Sequence, residues 1–154
     1  MGVEIVFLIK AIIFGLAAII IIPKEYYKKY LVYGLFLGAL GDTGFTLLGK
    51  HLNMWKYNNM GVFNILDLYS FWTPVAWVFV IMFFLYCLPH KRFNFYLYVV
   101  SYGLFGYFVG LVLQNFGLYE YLGFFKYLAP LVITAWFYTA SLIYMKAEGI
   151  KLES

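Results

Sequence analysis

"LFLGALGDTGFTLLGK" runs from Leu35 to Lys50. It reads as the outgoing half of a membrane helix, yet it carries a carboxylate, Asp42. The rest of the chain is as apolar. Of 154 residues, 65% are hydrophobic and 12% charged, and the mean hydropathy is +0.84. A soluble domain carries about 25% charged residues, so water would not solvate this surface and a bilayer is the natural solvent. The length suffices for one small helical bundle and not for a second domain. The net charge of +4 comes from 11 Lys+Arg against 7 Asp+Glu. In a membrane protein such an excess reports orientation and anionic headgroups. No basic run in soluble surroundings points to nucleic acid.

Outward from Asp42, the sequence predicts an all-α membrane protein, a five-transmembrane-helix bundle forming one domain over residues 1–145, with a cytoplasmic tail over 146–154. The spans are about 3–22, 29–48, 64–88, 94–113 and 126–145. Each is close to the roughly 20 residues that the apolar slab requires, and Pro23 ends the first. The third has two readings. It is one long helix from Asn64 bent at Pro74, or a helix that starts at Thr73-Pro74 with residues 62–71 lying along the interface. The length of the apolar stretch favours the bent helix. Alternation of strand type is absent, which argues against a β-barrel. The polar tail "KAEGIKLES" is expected to fray.

Orientation follows from the basic residues. Lys24, Lys28, Lys29, Lys91, Arg92, Lys146 and Lys151 lie on one side, and Lys50, Lys56 and Lys126 on the other. The N-terminus is therefore expected outside and the C-terminus in the cytoplasm. The start of the chain does not read as a cleaved signal peptide, because Glu4 precedes the apolar run and Lys10 interrupts it. Cys87, the only cysteine, reads as a buried inert thiol, with no internal disulfide or cysteine-based metal site open to it.

With the first two spans drawn as an antiparallel hairpin, Lys10 lies twelve residues before Ile22 and Asp42 twelve after Tyr30. Both then stand at the same height above the turn. An ammonium and a carboxylate at equal depth are expected to pair, because charges inside a membrane are rare and usually partnered. The alternative is that Lys10 snorkels outward and Asp42 bonds to Thr43, Thr46 or a tyrosine. Glu4 falls level with Lys50 and His51. Two glycine stripes, Gly34-Gly38-Gly41 and Gly103-Gly106-Gly110, predict that the second and fourth spans pack together.

The outer loops concentrate polar groups. His51, Trp55, Tyr57, Asn58 and Asp67 come from one loop, and Gln114, Asn115, Tyr119 and Glu120 from the other. With Asp42 and Lys10 as floor, the residues His51, Trp55, Tyr57, Asn58, Asp67 and Gln114 are candidate ligand-binding groups. Asp42 and Asp67 are the candidate acids or bases if the protein is an enzyme. No metal is expected: His51 and His90 fall on opposite sides and no metal-ligand spacing occurs. No phosphate loop or nucleophile elbow is present, and no cofactor is implied.

The turn "YYKKYLVYG", the "LGD" at Leu40–Asp42, "WKY" at Trp55–Tyr57, "FLYCLP", "SYGLF" and "GLYEY" occur in this order. Together they resemble an uncharacterised family of small polytopic membrane proteins from endospore-forming Firmicutes. The resemblance runs from about Pro23 to Tyr121. It implies a bacterial plasma membrane and carries over no catalytic residue. The size is also similar to that of the tryptophan-rich sensory proteins, whose proline- and tryptophan-rich stretches this chain lacks. Three functions are compatible with these observations. The first is a binding or accessory module holding a lipid, isoprenoid or other amphiphile in an outward-opening intramembrane cavity, alone, as a homo-oligomer or beside a partner membrane protein. The second is an intramembrane acid–base enzyme, and the third a small proton-coupled transporter.

Overall fold

The structure is a computed structural model and describes residues 2–153. It is built of five helices: α1 (Ile5–Ile21), α2 (Lys24–His51), α3 (Trp72–Tyr86), α4 (Arg92–Asn115) and α5 (Phe125–Glu148). Of these, α2, α4 and α5 are long and apolar enough to cross a membrane, and α1 and α3 are shorter apolar helices. Pro23 separates α1 from α2, holding Ile22 extended at ψ 124°, the conformation that a following proline imposes. Within α2, the stretch Gly34–Leu40 is π-helical, and an α-helix resumes at Gly41.

The third helix starts at Trp72 and not at Asn64, so the bent-helix expectation is corrected. Leu66 and Asp67 both take positive φ, 52° and 54°, which no right-handed helix accommodates. The strands β2 (Asn64–Ile65) and β3 (Tyr69–Ser70) pair antiparallel there, and the Asn64 side chain accepts from the Asp67 N–H at 3.0 Å. Pro74 then falls in the first turn of α3, where its missing N–H leaves no helical bond unmade.

A second correction concerns packing partners. α3 is the central helix, with α1 on one flank and the first two-thirds of α2 on the other, so α1 and α2 are not a closed hairpin. Gly34 and Gly38 admit the α3 backbone: a Cβ on Gly38 would lie 2.5 Å from the Trp77 carbonyl oxygen, and one on Gly34 2.7 Å from that of Val78. Gly103 and Gly106 of α4 face Thr134 and Ile133 of α5. Each glycine stripe therefore receives a neighbour other than the one expected.

Hydrophobic packing divides into two layers. The one nearer the Pro23 turn, labelled inner, gathers Ile81, Phe84, Leu85, Phe95 and Phe137, and the one nearer residues 55–57 and 119–121, labelled outer, gathers Phe7, Trp55, Leu118, Phe125 and Ala129. At the inner end the Tyr30 and Tyr144 hydroxyls meet at 2.9 Å, and Glu148 receives Lys29 and Tyr33, tying α2 to α5. The tail does not fray. Gly149 closes α5 in the left-handed conformation at φ 67°, with the Ile150 N–H donating to the Met145 carbonyl at 2.9 Å. That is the usual glycine stop. Glu153 then bonds through its backbone to His90 and Arg92.

At the outer end, β1 (Trp55–Tyr57) pairs antiparallel with β4 (Tyr119–Tyr121). Side chains alternate across a strand, so Trp55, Tyr119 and Tyr121 are buried while Lys56 is exposed and Glu120 half-exposed. The outward pair Lys56–Glu120 closes at 2.9 Å. The ribbon is thus aromatic below and charged above.

Two glycines on α2 give opposite expectations. Gly38→Val should destabilise the fold by about 1–3 kcal/mol through overpacking. At Gly44, apart from its chain neighbours and its own helix backbone, no atom of the described residues lies within 4 Å of the position a Cβ would take. This site should tolerate alanine and gain up to about 1 kcal/mol of helix stability. Denaturation midpoints followed by far-UV circular dichroism in a mild detergent would check both, and equal effects would contradict this packing.

Candidate functional site

A chamber of about 70 Å³ lies at the seam between the two packed layers. Its walls come from every helix. Lys10 enters from α1, Asp42, Phe45 and Thr46 from α2, and Trp77 from α3; Gly106, Val109 and Gly110 come from α4 and Ile133 from α5. The β1–β4 ribbon roofs it with Trp55, Tyr57, Tyr119 and Tyr121. A smaller void of about 40 Å³ adjoins on the side of Trp136 and shares Asp42, Phe45, Trp77 and Ile133. Asp42 therefore stands between the two spaces.

The wall is made by local sequence. The small residues Gly106 and Gly110 leave volume on the α4 face, and a Cβ on Gly110 would run into the Tyr121 hydroxyl. Phe45 stacks on Trp55 at 4.9 Å between ring centres, and Tyr57 meets Tyr119 edge-on at 5.0 Å. Aromatic pairs of this kind contribute about 0.5–1.5 kcal/mol each beyond their buried area, which fixes the roof.

The two charges face the same chamber without touching. Among the described residues the ion pairs within 4.0 Å are Lys29–Glu148 and Lys56–Glu120, and Lys10–Asp42 is not one of them. The Lys10 ammonium lies 5.6 Å from the Phe7 ring centre. Asp42 Oδ2 is buried and has no hydrogen-bond partner among the described residues. A buried carboxylate oxygen left unpaired is costly, so this oxygen is an acceptor awaiting a donor. Thr43 does not supply one: its hydroxyl bonds to the Ala39 carbonyl at 2.8 Å and to the Tyr69 hydroxyl at 2.9 Å.

Under the roof, burial pushes the Tyr57 hydroxyl well above the usual tyrosine range, and the nearby Asp42 charge adds to the rise. Tyr119 is raised as well, by burial first and by Tyr57 next. Both remain protonated and keep a hydrogen to donate. The stability held by these neutral hydroxyls is fully present below the unfolded value, near pH 10. It is lost as pH rises beyond that value toward the folded ones.

Of the residues singled out from sequence, Lys10, Asp42, Trp55 and Tyr57 line the chamber. His51, Asp67 and Gln114 are exposed, and Asn58 joins the loop through its backbone N–H to the Leu118 carbonyl at 3.0 Å; none of the four lines the chamber. Asp67 is engaged by the Asn64 amide in the β2–β3 turn. Trp77, Tyr121 and Ile133 were not foreseen as site residues. The alternation in "YEY" over Tyr119–Tyr121 was the one local sign of an inward tyrosine pair. Among the described residues no three His, Cys, Asp or Glu side chains gather as a metal ion would require.

Comparison with known protein families, with curated proteins and with solved structures finds no match to this chain. The chamber's own chemistry therefore carries the functional reading.

Facing charges make a measurable coupling. Lys10→Met and Asp42→Asn should each destabilise the protein, and the double variant by less than their sum, with a coupling of about 0.5–3 kcal/mol. A double-mutant cycle on unfolding in nanodiscs reads this directly. Strictly additive losses would mean that the two groups do not sense one another.

Proposed function

We propose that this protein is a multi-pass protein of a bacterial plasma membrane in which all five helices cross the bilayer, and that it binds a lipid, isoprenoid or other amphiphile. The outer surface supports the membrane assignment. Ile9, Ile13, Leu16 and Ile20 on α1, Leu35, Phe36 and Leu40 on α2, and Leu97, Leu104 and Phe108 on α4 are all exposed. Surfaces of this kind need lipid. α1 and α3 have 17 and 15 residues, or about 26 and 23 Å of helix. Local thinning accommodates such lengths, and α3 is largely sheltered by its neighbours. The basic residues Lys24, Lys28, Lys29, Lys91, Arg92, Lys146 and Lys151 support a cytoplasmic inner end and tail.

The observation that carries the binding reading is Asp42 Oδ2, buried and unpartnered among the described residues, in a chamber that also holds Lys10. Two apolar grooves of about 440 and 290 Å³ run along α1 and α4 and share Ile13, Phe14 and Phe105. A polar recess beside a long apolar groove matches a molecule with a polar head and a greasy chain. The expected rim of outer-loop polar residues gives way here to a tyrosine roof, so access to the chamber is more natural from the bilayer side than from outside. Phe84, Phe95 and Phe137 are packed and buried on the inner side of the chamber, which supports binding ahead of transport. An acid–base role for Asp42 on the bound molecule remains the second reading, supported by its lone acceptor oxygen.

Lipid extraction and native mass spectrometry of gently purified protein should reveal about one tightly held amphiphile per chain. Lys10→Met and Asp42→Asn should each reduce its occupancy several-fold. Retention of bulk bilayer lipid alone, unchanged by either substitution, would sink the proposal.

A further inference from the structure

The chamber and the 290 Å³ groove stand back to back. Lys10, Val109 and Leu113 line both, so these three side chains form the partition between polar recess and bilayer-side groove. The partition is built to give way. Lys10 is a long flexible side chain, and α1 packs chiefly on α3 while α4 packs chiefly on α5. Among the described residues no tight helix–helix seam closes α1 against α4, and the grooves occupy the space between them.

We infer that the head bound in the chamber is the uncharged hydroxyl of a long-chain primary alcohol, which enters sideways past Lys10, Val109 and Leu113 while its chain stays in the groove between α1 and α4. The inference rests on the amphiphile-binding reading of the same site. Its chemistry follows from the two walls in their charged forms. An ionised carboxylate only accepts hydrogen bonds, and an ammonium only donates them. A hydroxyl does both, so one oxygen bonds to Asp42 Oδ2 as donor and to the Lys10 ammonium as acceptor. A carboxylate or phosphate head sets a second anion against Asp42, and an amine head a second cation against Lys10. In a space this poorly solvated, like charges repel strongly. An ether accepts from Lys10 but leaves Asp42 unsatisfied. Size agrees: about 70 Å³ has room for a few water molecules and hence for a hydroxymethyl end.

The test uses the full chain in phosphatidylcholine nanodiscs and a hexadecan-1-ol analogue carrying a diazirine at mid-chain. After illumination, peptide mass spectrometry should place the label on α1 and α4 around Ile13, Phe14 and Phe105. Unlabelled hexadecan-1-ol should displace it at a concentration about tenfold or more below that needed for hexadecyl methyl ether, hexadecanoic acid or hexadecylamine. This competitor series needs no variant. Asp42→Asn should then let the acid compete nearly as well as the alcohol. Val109→Trp, which leaves both charges in place and fills the partition, should abolish discrimination among the heads. Labelling of the groove with equal competition by alcohol, acid, amine and ether would overturn the hydroxyl assignment and leave amphiphile binding standing. No saturable label on α1 or α4 would overturn both.

Discussion

The π-helical stretch of α2 ends at Leu40, two residues before Asp42, and it decides where that carboxylate points. A π-turn adds a residue to the helical circuit, and each added residue turns everything beyond it by about 100°. The same stretch brings Gly38 onto the Trp77 carbonyl, so α2 and α3 touch backbone to backbone immediately below the chamber. Position and direction of the acid are therefore set by one segment. Glycine makes the close approach possible, and the wider helical circuit aims the next side chain inward.

Much of this is readable in the sequence and some of it is not. The membrane-like apolar character and the helical make-up follow from composition and segment length. The convergence of Lys10 and Asp42 on one space follows from counting residues away from Pro23. That count assumed adjacent helices, yet α3 lies between α1 and α2, and the charges meet across a cavity instead of along a helix seam. Glycine spacing announces a close crossing but carries no label for the partner helix, because any backbone can fill the notch; hence Gly38 met α3 and Gly106 met α5. The start of α3 was ambiguous for a local reason. "NILDLY" has the apolar content of a helix, and only the left-handed backbone at Leu66 and Asp67 excludes it. Neither residue type demands that conformation, so nothing local revealed it. The roof strands are illegible for a different reason: three residues each, "WKY" and "YEY", are too short for their alternation to stand out.

The chamber persists because the layers on either side are stiff. Below it, Phe84, Tyr102 and Phe137 form a ring cluster, with Phe84 4.8 Å from Phe137 and Tyr102 5.4 Å from Phe137. Above it, Phe45 stacks on Trp55 at 4.9 Å and Phe125 tilts against Trp55 at 5.1 Å. Aromatic rings pack as rigid plates with few rotamers, so neither layer collapses easily into the gap. Filling the space with aliphatic side chains would remove the void and strand two charges in hydrocarbon; keeping it leaves those charges room for a small polar guest. The strong aromatic enrichment of the chain is, on this view, tied to maintaining a polar hole in a greasy body.

The roof adds an asymmetry that bears on access. Lys56 and Glu120 pair across the outer face of the β1–β4 ribbon, while Trp55, Tyr57, Tyr119 and Tyr121 hold its underside. An exposed ion pair contributes little by itself, so the ribbon is held chiefly by its aromatic face. Lifting it would expose four aromatic side chains to water and break the backbone bonds that join Met54 and Asn58 to the α4–α5 connection. Parting α1 from α4 breaks the edge-on Phe14–Phe105 contact at 5.9 Å, but lipid tails can replace it without a hydrophobic penalty. On the proposed membrane reading, the easier opening is therefore the one between α1 and α4, and the molecules best placed to use it are those already dissolved in the bilayer.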